Sequence, residues 1–177
     1  MNPQPNGVPA LAPIEPLDVP KHDRGLFASG EAALDEWLKK LAGQATRRDG
    51  ARTYVACDGA RVVGYYSLCA FQLERESAPE QAQFGALPVP AILLARLAVD
   101  REWQGSGLGR RLVVHAAGTA VAVADLVGAR VLVVHALHEV AAGFYRRLGF
   151  APFETQPLSL YLTMKDIRET LVAAGLR

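Results

Sequence analysis

Apolar positions recur along the chain with two different periods. In SGEAALDEWLKKLAGQ, Ala33, Leu34, Trp37, Leu38 and Leu41 fall three or four residues apart, the spacing of one helix face. Ser29 suits the N-cap, acidic Glu31 the first turn and Gly43 the end. RTYVACDGARVVGYYSLCAF carries two β-rich runs around Asp58-Gly59, which predicts a hairpin. Residues 74–90 are polar and punctuated by proline, a connection long enough to be a functional loop. AILLARLAVD is nearly all apolar and predicts a strand buried on both faces. A helix from about Gly107 to Val127 follows, with Leu108, Leu112, Ala116, Ala120, Val123 and Val127 as its buried stripe. ARVLVVHAL predicts a second buried strand, EVAAGFYRRLGF a short helix closed by Gly149, and PLSLYLTMKD a final alternating strand. The strand–helix–strand unit in the middle implies a parallel pair with a right-handed crossover. The fold class is mixed α/β.

Composition adds bounds. A chain of 177 residues, half of them apolar, suits one domain with a sizeable core. A net charge of +1 gives no global pull toward nucleic acid or membranes, so a polyanion must be caught by local patches. Cys57 and Cys69, the only cysteines, make neither a disulfide framework nor a zinc module and read as buried thiols. A cytoplasmic location follows by default. The N-terminal MNPQPNGVPALAPIEPLDVP is no signal peptide; its prolines predict an extended arm over residues 1–13. No apolar run reaches the roughly 20 residues of a membrane span. His135 and His138 have His-x-x-His spacing without a third ligand, so no metal is expected.

The chemistry centres on DREWQGSGLGRRL, Asp100–Leu112. A P-loop needs a lysine and then a Ser or Thr after its last glycine; here Arg110 and Arg111 follow Gly109. A dinucleotide fingerprint needs a third glycine where Arg110 stands, and an acid at the end of the next strand, where His135 stands. Both fail. Gln104-x-x-Gly107-x-Gly109, opening a helix after an apolar strand, resembles the acetyl-CoA-binding motif of the GNAT N-acetyltransferases. A helix N-terminus offers N–H groups and partial positive charge, and glycines let a pyrophosphate approach them. Cations there oppose the macrodipole by about 0.3–1 kcal/mol each, a penalty that a bound diphosphate or the 3′-phosphate of CoA removes. Downstream, Ala-x-x-Phe-Tyr-x-x-Leu-Gly-Phe over Ala141–Phe150 resembles the family's C-terminal helix and turn.

The resemblance covers about residues 14–166 and leaves 167–177 as a tail compatible with a helix. It implies a GNAT fold, a mixed central sheet with a splayed parallel strand pair flanked by helices. Acetyl-CoA is then the co-substrate, without a metal. Leu97, Ala98, Val99, Gln104, Gly105, Ser106, Gly107, Leu108, Gly109, Arg110 and Phe144 bind it. Backbone N–H groups at Leu97–Val99 polarise the thioester, and Tyr145 protonates the leaving thiolate as general acid. Glu102 and His135 are the candidate bases. A weak base suffices for an α-amine acceptor, whose pKa is about 7.7–8.0 against about 10.4 for lysine.

LFASGEAALDEWLKKLAGQATRRDGARTYVAC, GYYSL, LLARLAVDREWQGSGLGRRLV and VHALHEVAAGFYRRLGFAPF are similar to a narrower group, the TacT-like toxins of bacterial toxin–antitoxin systems. That likeness implies aminoacyl-tRNA as acceptor, a ribbon-helix-helix antitoxin as partner, operator DNA reached only through the antitoxin, and a homodimer. Lys39, Lys40, Arg47, Arg48, Arg52, Arg96, Arg146 and Arg147 are the candidate tRNA contacts. Two features depart from the group. Ser106 stands where a basic residue is common, and Glu76–Pro90 has no Lys or Arg. A GNAT enzyme acting on a small amine or a protein N-terminus, and a non-catalytic acetyl-CoA-binding regulator, stay open.

Overall fold

The computed structural model describes residues 11, 13–83 and 87–175. The predicted arm therefore lies almost wholly outside the described residues. In chain order the elements are β1 (Glu15–Pro16), α1 (Ala32–Glu36), a π turn (Trp37–Leu41), α2 (Ala42–Arg47), β2 (Arg52–Asp58), β3 (Arg61–Leu73), β4 (Val89–Val99), α3 (Leu108–Val127), β5 (Val131–His135), α4 (Glu139–Arg147), β6 (Ala151–Phe153), β7 (Gln156–Thr163) and α5 (Met164–Ala173). The backbone divides into two compact units, Met1–Tyr66 with Arg96–Leu112, and Ser67–Ala95 with Val113–Arg177.

In the first unit β1, β2 and the start of β3 are neighbours in that order, and the predicted hairpin turns at Gly59, φ +59°. Phe27, Trp37, Leu38, Val55, Val62, Tyr65 and Ala98 form its core. Tyr65 anchors it: its ring stacks on Trp37 at 5.9 Å and meets the edge of Phe27 at 5.6 Å, and its hydroxyl donates to the Leu34 carbonyl at 2.8 Å. Gly64 lies against the start of α3, where a Cβ would come within 3.0 Å of both Leu108 and Leu112.

The first helix corrects two expectations. It does not stop at Gly43 but runs on to Arg47. Gly43 is buried and fits beneath Val19, whose Cγ2 would lie 2.8 Å from a Cβ; the glycine serves close packing. Ser29 is not the N-cap. That place falls to Glu31, while the Ser29 hydroxyl accepts from Glu31 N–H and donates to Asp35 at 2.6 Å. The π turn interrupts the helix, as such turns do at functional sites. It turns Leu41 outward, and Arg24 Nη1 donates to the Leu38 and Lys39 carbonyls.

The second unit places β3, β4, β5, β7 and β6 side by side in that order. β4 and β5 are the predicted parallel pair, in register from Ala91↔Val131 to Leu94↔Val134. β5–β7 and β6–β7 are antiparallel. Leu73, Ala78, Ala82, Val89, Ala91, Val131 and Val133 form its core. Loop residues Ala78 and Ala82 are therefore structural, and Arg130 Nε ties the loop down by donating to the Ala82 carbonyl at 2.6 Å. The predicted last strand ends at Thr163, whose hydroxyl caps α5 by accepting from Asp166 N–H at 3.1 Å. α5 crosses the expected 166/167 boundary and buries Ile167 and Leu171. The stripe of α3 needs a correction as well. Val123 and Val127 are exposed, and Val113, Ala117, Val121 and Ala124 are buried. Steps of four residues overrun the 3.6-residue turn, so the buried face drifts off the original line. Among the described residues no helix is long and apolar enough to cross a membrane.

Candidate active site

The glycine loop is fixed from below by a carboxylate. Asp100 directly follows β4 and is 2% exposed. Its Oδ2 accepts from Ala28 N–H at 3.0 Å and its Oδ1 from Glu102 N–H at 3.1 Å, capping the short 3-10 turn Arg101–Trp103. Arg61 spans the turn, 3.3 Å from Asp100 and 2.8 Å from Glu102. Gln104 follows, and its amide donates to the Ser29 carbonyl at 2.8 Å and the Val99 carbonyl at 3.0 Å. The motif glutamine thus acts on its own chain, joining the strand end to the segment before α1. Ser106 Oγ donates to the Trp103 carbonyl at 2.5 Å.

The glycines are used for conformation and clearance. Gly105 and Gly107 have φ of +76° and +87°, and a Cβ on either would meet nothing within 4 Å. α3 begins at once, with Gly109 in its first turn. The Leu108 side chain is buried, which leaves its backbone N–H as the part able to meet a ligand. Arg110 is exposed and makes no ion pair among the described residues. An open glycine backbone, a helix N-terminus and an uncommitted guanidinium together fit a diphosphate.

Upstream, β4 runs on to Val99 although its register with β5 stops at Leu94. Burial loosens at the same point: Leu97 and Val99 are half-buried, and Ala98 remains in the core. This is the strip of backbone expected to meet the thioester.

Tyr145 belongs to the second unit. His138 caps α4 by accepting from Ala141 N–H at Nδ1, 3.2 Å, and Glu139 pairs with Arg146 across the helix. Gly149, φ +94°, closes the helix as expected. Its turn folds Phe150 N–H back onto the Tyr145 carbonyl at 3.2 Å. The Tyr145 ring is wedged edge-to-face between Phe144 and Phe150 at 5.1 and 5.5 Å. Burial raises the pKa of its phenol, which holds the proton a general acid must give. The hydroxyl makes no hydrogen bond among the described residues.

The two candidate bases are otherwise engaged. Glu102 pairs with Arg61. His135 Nδ1 lies 2.8 Å from Ser159 Oγ, its ring meets Phe71 edge-on at 5.7 Å, and burial lowers its pKa. Among the described residues no group of His, Cys, Asp and Glu could hold a metal. The basic candidates divide. Lys40, Arg52 and Arg146 pair with Glu36, Asp49 and Glu139. Lys39, Arg47, Arg48 and Arg147 make no ion pair among the described residues, and Arg96 lies over Trp37. Sequence reasoning missed Asp100 and Arg61. An acid directly before a polar turn is a capping signal, and it was available in DREW.

Comparison with known proteins matches this geometry. The model of the acetyltransferase (GNAT) domain matches residues 49–152. A tRNA-acetylating toxin of Mycobacterium tuberculosis (strain ATCC 25618 / H37Rv) is 45% identical over 143 residues, 80% of this chain and 86% of that protein. AtaT complexed with acetyl-methionyl-tRNAfMet superposes with a TM-score of 0.83 at 33% identity, covering 91% of this chain and 99% of that one. A tyrosine-to-phenylalanine mutant of AtaT, bound to the C-terminus of the antitoxin AtaR and acetyl-CoA, gives 0.79 at 32% identity, covering 91% and 98%. The chain belongs to the GNAT acetyltransferases and, within them, to the family of the tRNA-acetylating toxins.

Proposed function

We propose that this protein moves acetyl from acetyl-CoA to the α-amine of aminoacyl-tRNA, and so blocks translation as the toxin of a toxin–antitoxin pair. Its likeness to the tRNA-acetylating toxin carries the choice of acceptor. Acetyl-CoA supplies the acyl group as a thioester. The backbone of Gly105–Gly109 and the Arg110 guanidinium hold the diphosphate, on a loop fixed by Gln104 and Asp100. N–H groups at Leu97–Val99 polarise the carbonyl. The α-amine attacks, the N–C bond forms and the C–S bond breaks. Tyr145 gives its proton to the departing thiolate, the attacking nitrogen loses one to solvent, and the Tyr145 phenolate is reprotonated from solvent. An α-amine of pKa about 7.7–8.0 is about a quarter to two-fifths neutral near pH 7.5, so no strong base is needed. That suits a chain whose Glu102 and His135 are already engaged.

The partners follow from the same reading. A ribbon-helix-helix antitoxin neutralises the enzyme and carries it to operator DNA; the toxin is a homodimer and works in the cytoplasm. The test uses purified protein, labelled acetyl-CoA, and charged and uncharged tRNA. Label should enter charged tRNA alone. Label in a small amine or a protein N-terminus, with none in charged tRNA, rejects the reading. Tyr145→Phe should abolish growth arrest on expression and keep acetyl-CoA binding. Undiminished arrest removes Tyr145 from the mechanism.

A further inference from the structure

β4 carries one charged residue, Arg96, in the run Val89–Val99. Strand side chains alternate between faces, so Arg96 shares a face with Leu94 and Ala98. Both neighbours are buried, and Ala98 lies in the core with Trp37 and Tyr65. Arg96 is thus a half-buried cation turned toward a core. Its guanidinium carbon sits 4.3 Å over the Trp37 ring. It makes no ion pair among the described residues. The carboxylates of α1 are otherwise used: Asp35 accepts from Ser29, and Glu36 binds Lys40.

A cation turned inward costs stability unless it is paired or put to use. The indole face offsets part of that cost. Contact with the indole face also positions the guanidinium, whose N–H donors suit phosphate oxygens. Along the strand, Arg96 immediately precedes Leu97–Val99. An aminoacyl ester has no carboxylate, so the anions nearest its reacting amine are the terminal phosphodiesters of the RNA.

We propose that Arg96, held against Trp37, is a specificity-determining residue that binds a terminal phosphodiester of the acceptor RNA. This rests on the aminoacyl-tRNA reading above. Arg96 then selects an RNA-linked amine over a free one.

The experiment compares wild type with Arg96→Met, which keeps a stem on Trp37, and Arg96→Lys, which keeps the charge. Binding to uncharged total tRNA is measured across a salt series, with acetyl-CoA affinity and the unfolding midpoint in the same samples. Arg96→Met should weaken tRNA binding about tenfold and make the slope of log K against log salt shallower by about one. Its acetyl-CoA affinity should stay unchanged, and Arg96→Lys should keep the slope. Unchanged tRNA affinity and slope in Arg96→Met overturn the proposal. So does a parallel loss of acetyl-CoA affinity, which marks Arg96 as a fold residue only. Failure of the wild type to acetylate charged tRNA is a different result and removes the acceptor reading itself.

Discussion

Asp100 shows how one side chain ties the fold to the chemistry. It is buried, accepts two backbone N–H groups and faces Arg61. Replacing it with alanine strands both donors, each at about 1–3 kcal/mol. The Arg61 contribution is smaller, because that guanidinium is a third exposed and water screens it. Asp100→Ala should therefore lower stability by about 2–6 kcal/mol, read from the urea midpoint. It should also weaken acetyl-CoA, because the 3-10 turn sets where the glycine loop begins. Retained acetyl-CoA affinity in the folded variant would show that the loop holds itself. Tyr145 makes the complementary point. Its place in the motif could be read from the sequence, but the rings that seal its phenol come from packing around a turn. Asp100 was readable only as a cap, because its partners Ala28 and Arg61 are distant in sequence.

At the scale of elements, the step from β4 into α3 concentrates the design. A strand loses its β5 partner, a capped turn follows, and two glycines at positive φ deliver the chain into a helix. Gly107→Ala tests this junction. The backbone strain of φ +87° should cost about 1–2 kcal/mol. No neighbour opposes the added methyl, so the fold should survive. The methyl would stand where a phosphate must approach. Isothermal titration should show acetyl-CoA binding weakened more than tenfold, beyond what the stability loss explains. Binding within twofold of wild type would move the diphosphate away from this loop. The same element was largely legible beforehand, since glycine spacing and apolar runs are local signals. The π turn, the continuation of the first helix through Gly43, and β6 were not. Each depends on what packs against it: Arg24 on the freed carbonyls, Val19 over the glycine, and β7 beside β6.

For the whole molecule, electrostatics sets how an almost neutral chain would hold the RNA acceptor proposed above. The net charge is +1, so no broad field draws in a polyanion. Much of the basic surface is already spent: Lys21, Lys40, Arg52, Arg61, Arg146 and Arg168 all sit in ion pairs. If Arg110 serves the diphosphate, the candidate contacts left without an ion pair among the described residues are Lys39, Arg47, Arg48, Arg96 and Arg147. Each phosphate contact contributes about −0.7 to −0.9 to the slope of log K against log salt. Five such contacts contribute about −3.5 to −4.5. Binding of charged tRNA should therefore fall with a slope near that, measured by filter binding from low to physiological salt. Reversing Arg47 and Arg48 together to glutamate should flatten the slope by about two while acetyl transfer to a small aminoacyl ester continues. A much steeper wild-type slope would mean that further cations meet RNA, either exposed Arg101 or ion-paired residues that let go of their carboxylates. The pairs of Lys40 with Glu36 and Arg52 with Asp49 are exposed on both sides, which makes them the first expected to exchange.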